Sequence, residues 1–138
     1  MEMVSLESAQ KIIAQAIKKA TADFGRPICV SVVDKYGFLV AFGRMNGSPL
    51  RSIEISRRKA YTAVRMGVST DAFLARLRKD QIEASYFCDD QLTALPGGNL
   101  LKDAAGNMLG AVGVSGLAAS EDQSITEAMA ELMKAGEV

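Results

Sequence analysis

Histidine is absent from the 138 residues of this chain. That absence excludes a Ser-His-Asp or Cys-His nucleophile, a histidine-ligated zinc ion and an imidazole-ligated haem. Tryptophan is absent too, and there are three prolines. The two cysteines, Cys29 and Cys88, stand far apart and in no metal-like spacing, so they read as reduced thiols of a cytoplasmic protein. Neither sign of charge is in excess: sixteen basic residues balance sixteen acidic ones. No basic footprint for nucleic acid follows from such a balance. No apolar run approaches the roughly 20 residues a membrane helix needs. The opening Met1-Glu2-Met3-Val4-Ser5 lacks the basic-then-apolar pattern of a signal peptide.

The 49% hydrophobic and 23% charged fractions are those of an ordinary globular domain, and the length predicts a single one over residues 1–138. Half of the twelve glycines crowd into residues 96–116. Within that stretch Asp103-Ala104-Ala105-Gly106-Asn107 reads as a turn between apolar segments, which predicts a hairpin of strands 99–102 and 108–115. Glycine inside a strand weakens it unless something must approach the backbone. Strand 108–115 is therefore expected to be internal, with a helix or ligand tight against Gly110 and Gly113.

Upstream, Ser5 is a candidate cap for a helix to about 23, with Leu6, Ala9, Ile13, Ala16, Ile17 and Ala20 on its apolar face. Residues 28–34 and 37–44 read as paired strands around Lys35-Tyr36-Gly37, with Asp34 as a turn residue or a polar group at a pocket edge. Ser48-Pro49 predicts a helix start, and that helix runs to about 65. Its face of Ile53, Ser56, Ala60, Ala63, Val64 and Gly67 is mainly small, so it should lie very close to its support. Ile55, Thr62 and Met66 make a second apolar stripe, read as a subunit contact because a monomer has no evident use for two buried faces. Lys59 lies between them, either snorkelling or aiming its ammonium into a pocket. A shorter helix is expected over 70–79. Residues 81–95 should mix a short helix, a loop and an edge strand near 92–95. Ser120 with Gln123 reads as a capping box for a last helix whose apolar face is Ile125, Ala128, Met129, Leu132 and Met133. Hairpins interspersed with helices argue an α+β fold.

The glycine pattern Gly97-Gly98 through Gly106, Gly110-Ala111, Gly113-Val114-Ser115-Gly116 resembles the GlcG/HbpS family, also seen as the C-terminal domain of PduO-type corrinoid adenosyltransferases. Val33-Asp34-Lys35-Tyr36-Gly37, Arg44-Met45-Asn46-Gly47 and Ile53-Glu54-Ile55-Ser56-Arg57-Arg58-Lys59-Ala60 extend the resemblance over nearly the whole chain. The resemblance implies a profilin-like, five-stranded antiparallel sheet with helices on both faces. It implies an accessory small-ligand-binding protein, with haem or cobalamin as possible ligands, tied to diol, glycerol or glycolate metabolism and assembled as a homo-oligomer. Asp34, Arg44, Lys59, Gly97, Gly98, Gly113 and Ser115 are the candidate ligand-binding residues. The corrinoid-linked branch is expected to carry an axial histidine, which this chain lacks. Met45, Tyr86 and Cys88 are the remaining candidate haem ligands. Two other readings stay open: an enzyme using Asp34, Lys59 and Asp122 in acid–base work, and a structural assembly protein.

Haem added to the untagged chain is expected to give an absorption spectrum without imidazole ligation. A bis-histidine-type spectrum would overturn that expectation.

Overall fold

The structure, a computed structural model, describes residues 1–138. Its elements run α1 (Leu6–Asp23), β1 (Cys29–Asp34), β2 (Leu39–Arg44), α2 (Arg51–Met66), α3 (Thr70–Asp80), a short 3-10 turn at Ala84–Phe87, β3 (Gly98–Lys102), β4 (Met108–Ser115) and α4 (Ala119–Lys134). The sheet is antiparallel throughout, in the order β2-β1-β4-β3, so β1 and β4 are internal. This is the α+β architecture expected, with β4 beside β1. No helix is long and apolar enough to cross a membrane.

The sheet has four strands rather than five. Residues 92–95, expected as an edge strand, instead lie against the outside of α2. The Thr93 amide donates to Thr62 Oγ1 at 2.9 Å, and Arg57 donates to Gln91 Oε1 at 2.9 Å. Tyr61 donates to Asp89 at 2.5 Å, which holds the Asp89 carboxyl below its usual range and pushes the Tyr61 phenol up. Polar contacts to a helix, not a ladder, satisfy this segment. They also cover one member of the second apolar stripe: Thr62 is fully buried within the chain beneath residue 93, while Ile55 and Met66 stay half-buried.

One face of the sheet carries α1 and α4 over the larger core, where Ile12, Ala16, Val30, Val32, Leu101, Val112, Val114, Ile125 and Met129 pack together. On α1 the centre of that face is Ile12, while Leu6, assigned there from the sequence, is exposed. The other face carries α2 alone along its middle, with Val33, Ala60, Ala63, Leu100 and Ala111 as a smaller core.

Two helix starts differ from the sequence reading. Ser48 does not cap α2; its hydroxyl donates to the carbonyls of Ile28 and Met45, and the helix begins at Arg51. Helix α4 begins one residue before Ser120, with Ala118 at the cap position and Glu121 accepting the Ala118 N–H at 3.0 Å. The reciprocal carboxylate is Glu121, not Gln123, which leaves Gln123 for other work.

Helix α2 runs along a furrow in the sheet that the pairing register makes visible. Ser31, Gly113 and Gly98 lie side by side across β1, β4 and β3. A Cβ on Gly113 would stand 2.0 Å from the Ser56 carbonyl oxygen, and one on Gly98 would stand 2.4 Å from the Lys59 carbonyl oxygen. The helix backbone itself therefore fills the space that side chains normally occupy. Next along the strand, Ser115 sits under Ser52 and Ala111 packs with Ala60 and Ala63.

Gly113→Ala is expected to destabilise the chain by about 3 kcal/mol or more, because overpacking against backbone cannot be relieved by rotamer change. Gly106→Ala, at a hairpin turn with open space around it but a φ of +87°, is expected to cost about 1–2 kcal/mol. Urea denaturation of the two variants checks the order.

Candidate functional site

At the Ser115 end of the furrow the structure buries a charge. Lys59 and Asp122 are each 2% exposed, and Lys59 Nζ lies 3.1 Å from Asp122 Oδ2. Side chains on a helix lean toward its N-terminus, which carries the Lys59 stem along the sheet toward Ser115. There the ammonium also donates to the Val114 carbonyl at 2.8 Å. The other Asp122 oxygen accepts the Leu117 N–H at 3.1 Å, so the carboxylate pins both α2 and the turn that leads into α4. Burial pushes the Lys59 ammonium down and the Asp122 carboxyl up from their ordinary values, each partly offset by the other.

An ammonium has three N–H donors. Two are used by Val114 and Asp122, and the third meets no acceptor in the chain. Lys59 lines a cavity of about 180 Å³ together with Arg51, Ser52, Ile55, Ser115 and Asp122 among others. The Ser115 hydroxyl donates to the Ser52 hydroxyl at 3.2 Å on the cavity wall. The lining thus brings together a buried cation paired with Asp122, two hydroxyls and an exposed arginine.

The glycines assigned from the sequence surround this lysine. A Cβ on Gly97 would lie 2.7 Å from Lys59 Nζ and 2.9 Å from Asp122 Cβ. Gly113 would meet the Lys59 Cβ at 3.1 Å. Gly97 donates its N–H to Gln123 Oε1 at 2.6 Å, and Gly98 donates to Thr70 Oγ1 at 2.9 Å, so neither amide is free for an anion. Lys59, Gly97, Gly98, Gly113 and Ser115 thus come together. Arg44 is in register with Cys29, itself opposite Ser115, and its exposed side chain stands on the edge strand. Asp34 is not brought to them. It pairs with Gly110 at the far end of β1, where Oδ1 accepts the N–H groups of Tyr36 and Phe38 as a turn residue does.

The candidate haem ligands do not converge. Met45 Sδ accepts the Ile28 N–H at 3.3 Å, whereas Tyr86 and Cys88 belong to the short turn beyond α3. Cys29 is buried, and burial pushes its thiol up. Sequence reasoning counted Asp122 among the acid–base candidates and otherwise as a favourable charge at the start of α4, and it missed Ser52, Thr70 and Gln123 as site residues. The available signal was a lysine inside a run of small helix positions opposite a glycine-rich strand.

The chain belongs to the HbpS-like family, whose model, described as haem degrading protein HbpS-like, matches residues 4–131. An uncharacterized 15.0 kDa protein of Citrobacter freundii, from the dhaT-dhaS intergenic region, is 30% identical over 125 residues, which cover 90% of this chain and 87% of that one. A double mutant of HbpS from Streptomyces reticuli superimposes with a TM-score of 0.85 at 27% identity, covering 96% of this chain and 88% of that one. The protein of a PduOC–haem complex shares the fold, with a TM-score of 0.82 at 24% identity over 94% of each chain.

The buried pair carries a pH signature. Lys59→Met leaves Asp122 without its cation, a loss of about 3–5 kcal/mol at neutral pH. The folded carboxyl then titrates still higher above its unfolded value. The native state therefore binds more protons than the unfolded one across that window, and stability falls as pH rises through it. Lys59→Met should be markedly weaker at pH 8 than at pH 5. Adding Asp122→Asn should remove that pH dependence. Urea midpoints at the two pH values check both expectations.

Proposed function

We propose that this HbpS-like chain is an accessory small-ligand-binding protein whose site is the Lys59 cavity. The observation that carries the reading is the uncommitted N–H of a buried ammonium facing a cavity edged by Ser52 and Ser115. A donor held out of water has much to gain from an anionic acceptor. The ligand is a molecule with a carboxylate arm. Asp122 holds the ammonium in place, and the Ser52–Ser115 pair supplies hydroxyls to the second carboxylate oxygen. The cavity's size admits an arm, not a macrocycle.

The tetrapyrrole class, haem or cobalamin, is supported by the haem-degrading character of the family and enters through the same feature, since such molecules carry acidic or amide side arms. The chain has no imidazole to offer a tetrapyrrole's metal. The tie to diol, glycerol or glycolate metabolism rests on the family resemblance. A cytoplasmic homo-oligomer belongs to the same reading. The exposed Phe38, Leu39 and Phe42 of the edge hairpin support the oligomer better than the stripe on α2 does.

One observation favours a second reading. Lys59 moves down and Asp122 up, so the pair is suited to acid–base work on a bound substrate. Asp34, at the other end of β1, takes no part in it.

Calorimetric titration with propionate, glycolate, haem and cobalamin tests the proposal. Saturable binding of at least one is expected, weakened tenfold or more in the Lys59→Met/Asp122→Asn variant. No saturable binding of any, or undiminished binding in that variant, would overturn it. Turnover of a bound acid, lost in Asp122→Asn, would select the enzymatic reading.

A further inference from the structure

A second concavity lies beside the Lys59 cavity. It is a groove of about 610 Å³ between α3 and α4, lined by Leu74, Arg78, Leu95, Pro96, Ser120 and Gln123 among others. The two share a wall, because Leu95 and Ala119 border both. Its volume falls within the roughly 300–1,000 Å³ of ordinary ligand sites, whereas the Lys59 cavity falls below that range.

Gln123 is 5% exposed, and its amide orientation is determined by chemistry: Oε1 accepts the Gly97 N–H at 2.6 Å. The other end, Nε2, is buried with no hydrogen-bond partner, and no other buried side-chain nitrogen or oxygen in the chain is left so. Flipping the amide would face two N–H donors, so the orphan cannot be moved to the other end. An unsatisfied buried donor is costly and calls for an acceptor. Leu95 is 48% exposed at the shared wall, and its segment belongs to no ladder.

We infer that the α3–α4 groove and the Lys59 cavity are two halves of one site, in which the groove takes the apolar, ring-sized body of the ligand and the Gln123 amide donates to a carbonyl or carboxylate oxygen on that body. This rests on the Lys59 reading for the carboxylate arm. Leu74, Leu95 and Pro96 supply the apolar walls. The ligand class is an acid with an aromatic or alicyclic body and a second oxygen acceptor set back from the carboxylate.

Three probes separate the parts: propionate, which fills the Lys59 cavity alone; phenylbutyrate, which adds a ring; and benzoylpropionate, which differs from phenylbutyrate by one ketone oxygen. Titration of the wild-type chain is expected to give affinities rising in that order, with the ketone worth about fivefold, as for one neutral hydrogen bond. Leu74→Asp should return both ring acids to the affinity of propionate. Gln123→Glu keeps an acceptor for the Gly97 amide and replaces the donor by a carboxylate. It should abolish the ketone preference, a ratio in which any effect on the shared carboxylate cancels. Ring acids no tighter than propionate would overturn the inference while leaving the Lys59 reading in place. So would a ketone preference that survives Gln123→Glu in a protein of normal melting temperature. If Gln123→Glu does not fold, the Leu74→Asp result decides. Propionate failing to bind while benzoylpropionate binds through Gln123 would do the opposite: the groove would stand and the Lys59 reading would fall.

Discussion

The approach of the α2 backbone to the sheet is the constraint on which the rest of this molecule depends. Three neighbouring strand positions, Ser31, Gly113 and Gly98, present almost no side chain to the helix. The helix answers with Ser52, Ser56 and Ala60. Close packing of this kind gives many weak contacts per residue but leaves nothing flexible to absorb error. It also brings polar atoms of helix and sheet together, which explains the hydroxyl pairs Ser31–Ser56 at 2.8 Å and Ser115–Ser52 at 3.2 Å in an interface that would otherwise be aliphatic.

A lysine in such an interface is nearly shut off from water. Its charge must be met inside, and the meeting organises the chain ends of three elements. Asp122 brings in α4, the Val114 carbonyl brings in β4, and Gly97 makes room at the start of β3. A buried pair of this sort is a weak stabiliser, since desolvation consumes most of the attraction. Its presence therefore points toward use rather than toward holding the fold. The Asp89 cluster on the outer side of α2 makes the contrast: Tyr61, Arg57, Arg58 and Arg65 gather the 89–93 segment onto the helix with partly exposed groups, where the cost of charge is small.

The missing histidine sets the limits of the chemistry. Metal ligation in the manner of a histidine protein is closed, and the thiols are placed apart, one buried and one exposed. The proposed site relies instead on hydrogen bonds and charge at the junction of α2, β4 and α4. The two concavities there share Leu95 and Ala119 in their walls, and Lys59 and Gln123 are neighbours across Gly97.

Local pattern alone determined the helices α1, α3 and α4, the two hairpins and the internal place of β4. Helical periodicity, turn residues at 34–37 and 103–107 and glycines within a strand are near-neighbour signals that need no knowledge of the fold. The same pattern predicted that α2 packs closely and that Lys59 is unusual. It did not distinguish a strand at 92–95 from a strap over a helix, because alternation says nothing about whether a backbone amide meets a neighbouring strand or the Thr62 hydroxyl. It did not foresee the cover over Thr62 for the same reason, since that cover came from about thirty residues downstream. Asp122 looked sufficient as a charge at a helix start, and only the fold sets it 3.1 Å from a lysine 63 positions away. Asp34 and Lys59 looked equally available, and only the register places them at opposite ends of β1. Burial, ion pairing and cavities are properties of contacts between distant residues, and those contacts exist only once the sheet has brought α2 and α4 to the same end of β4.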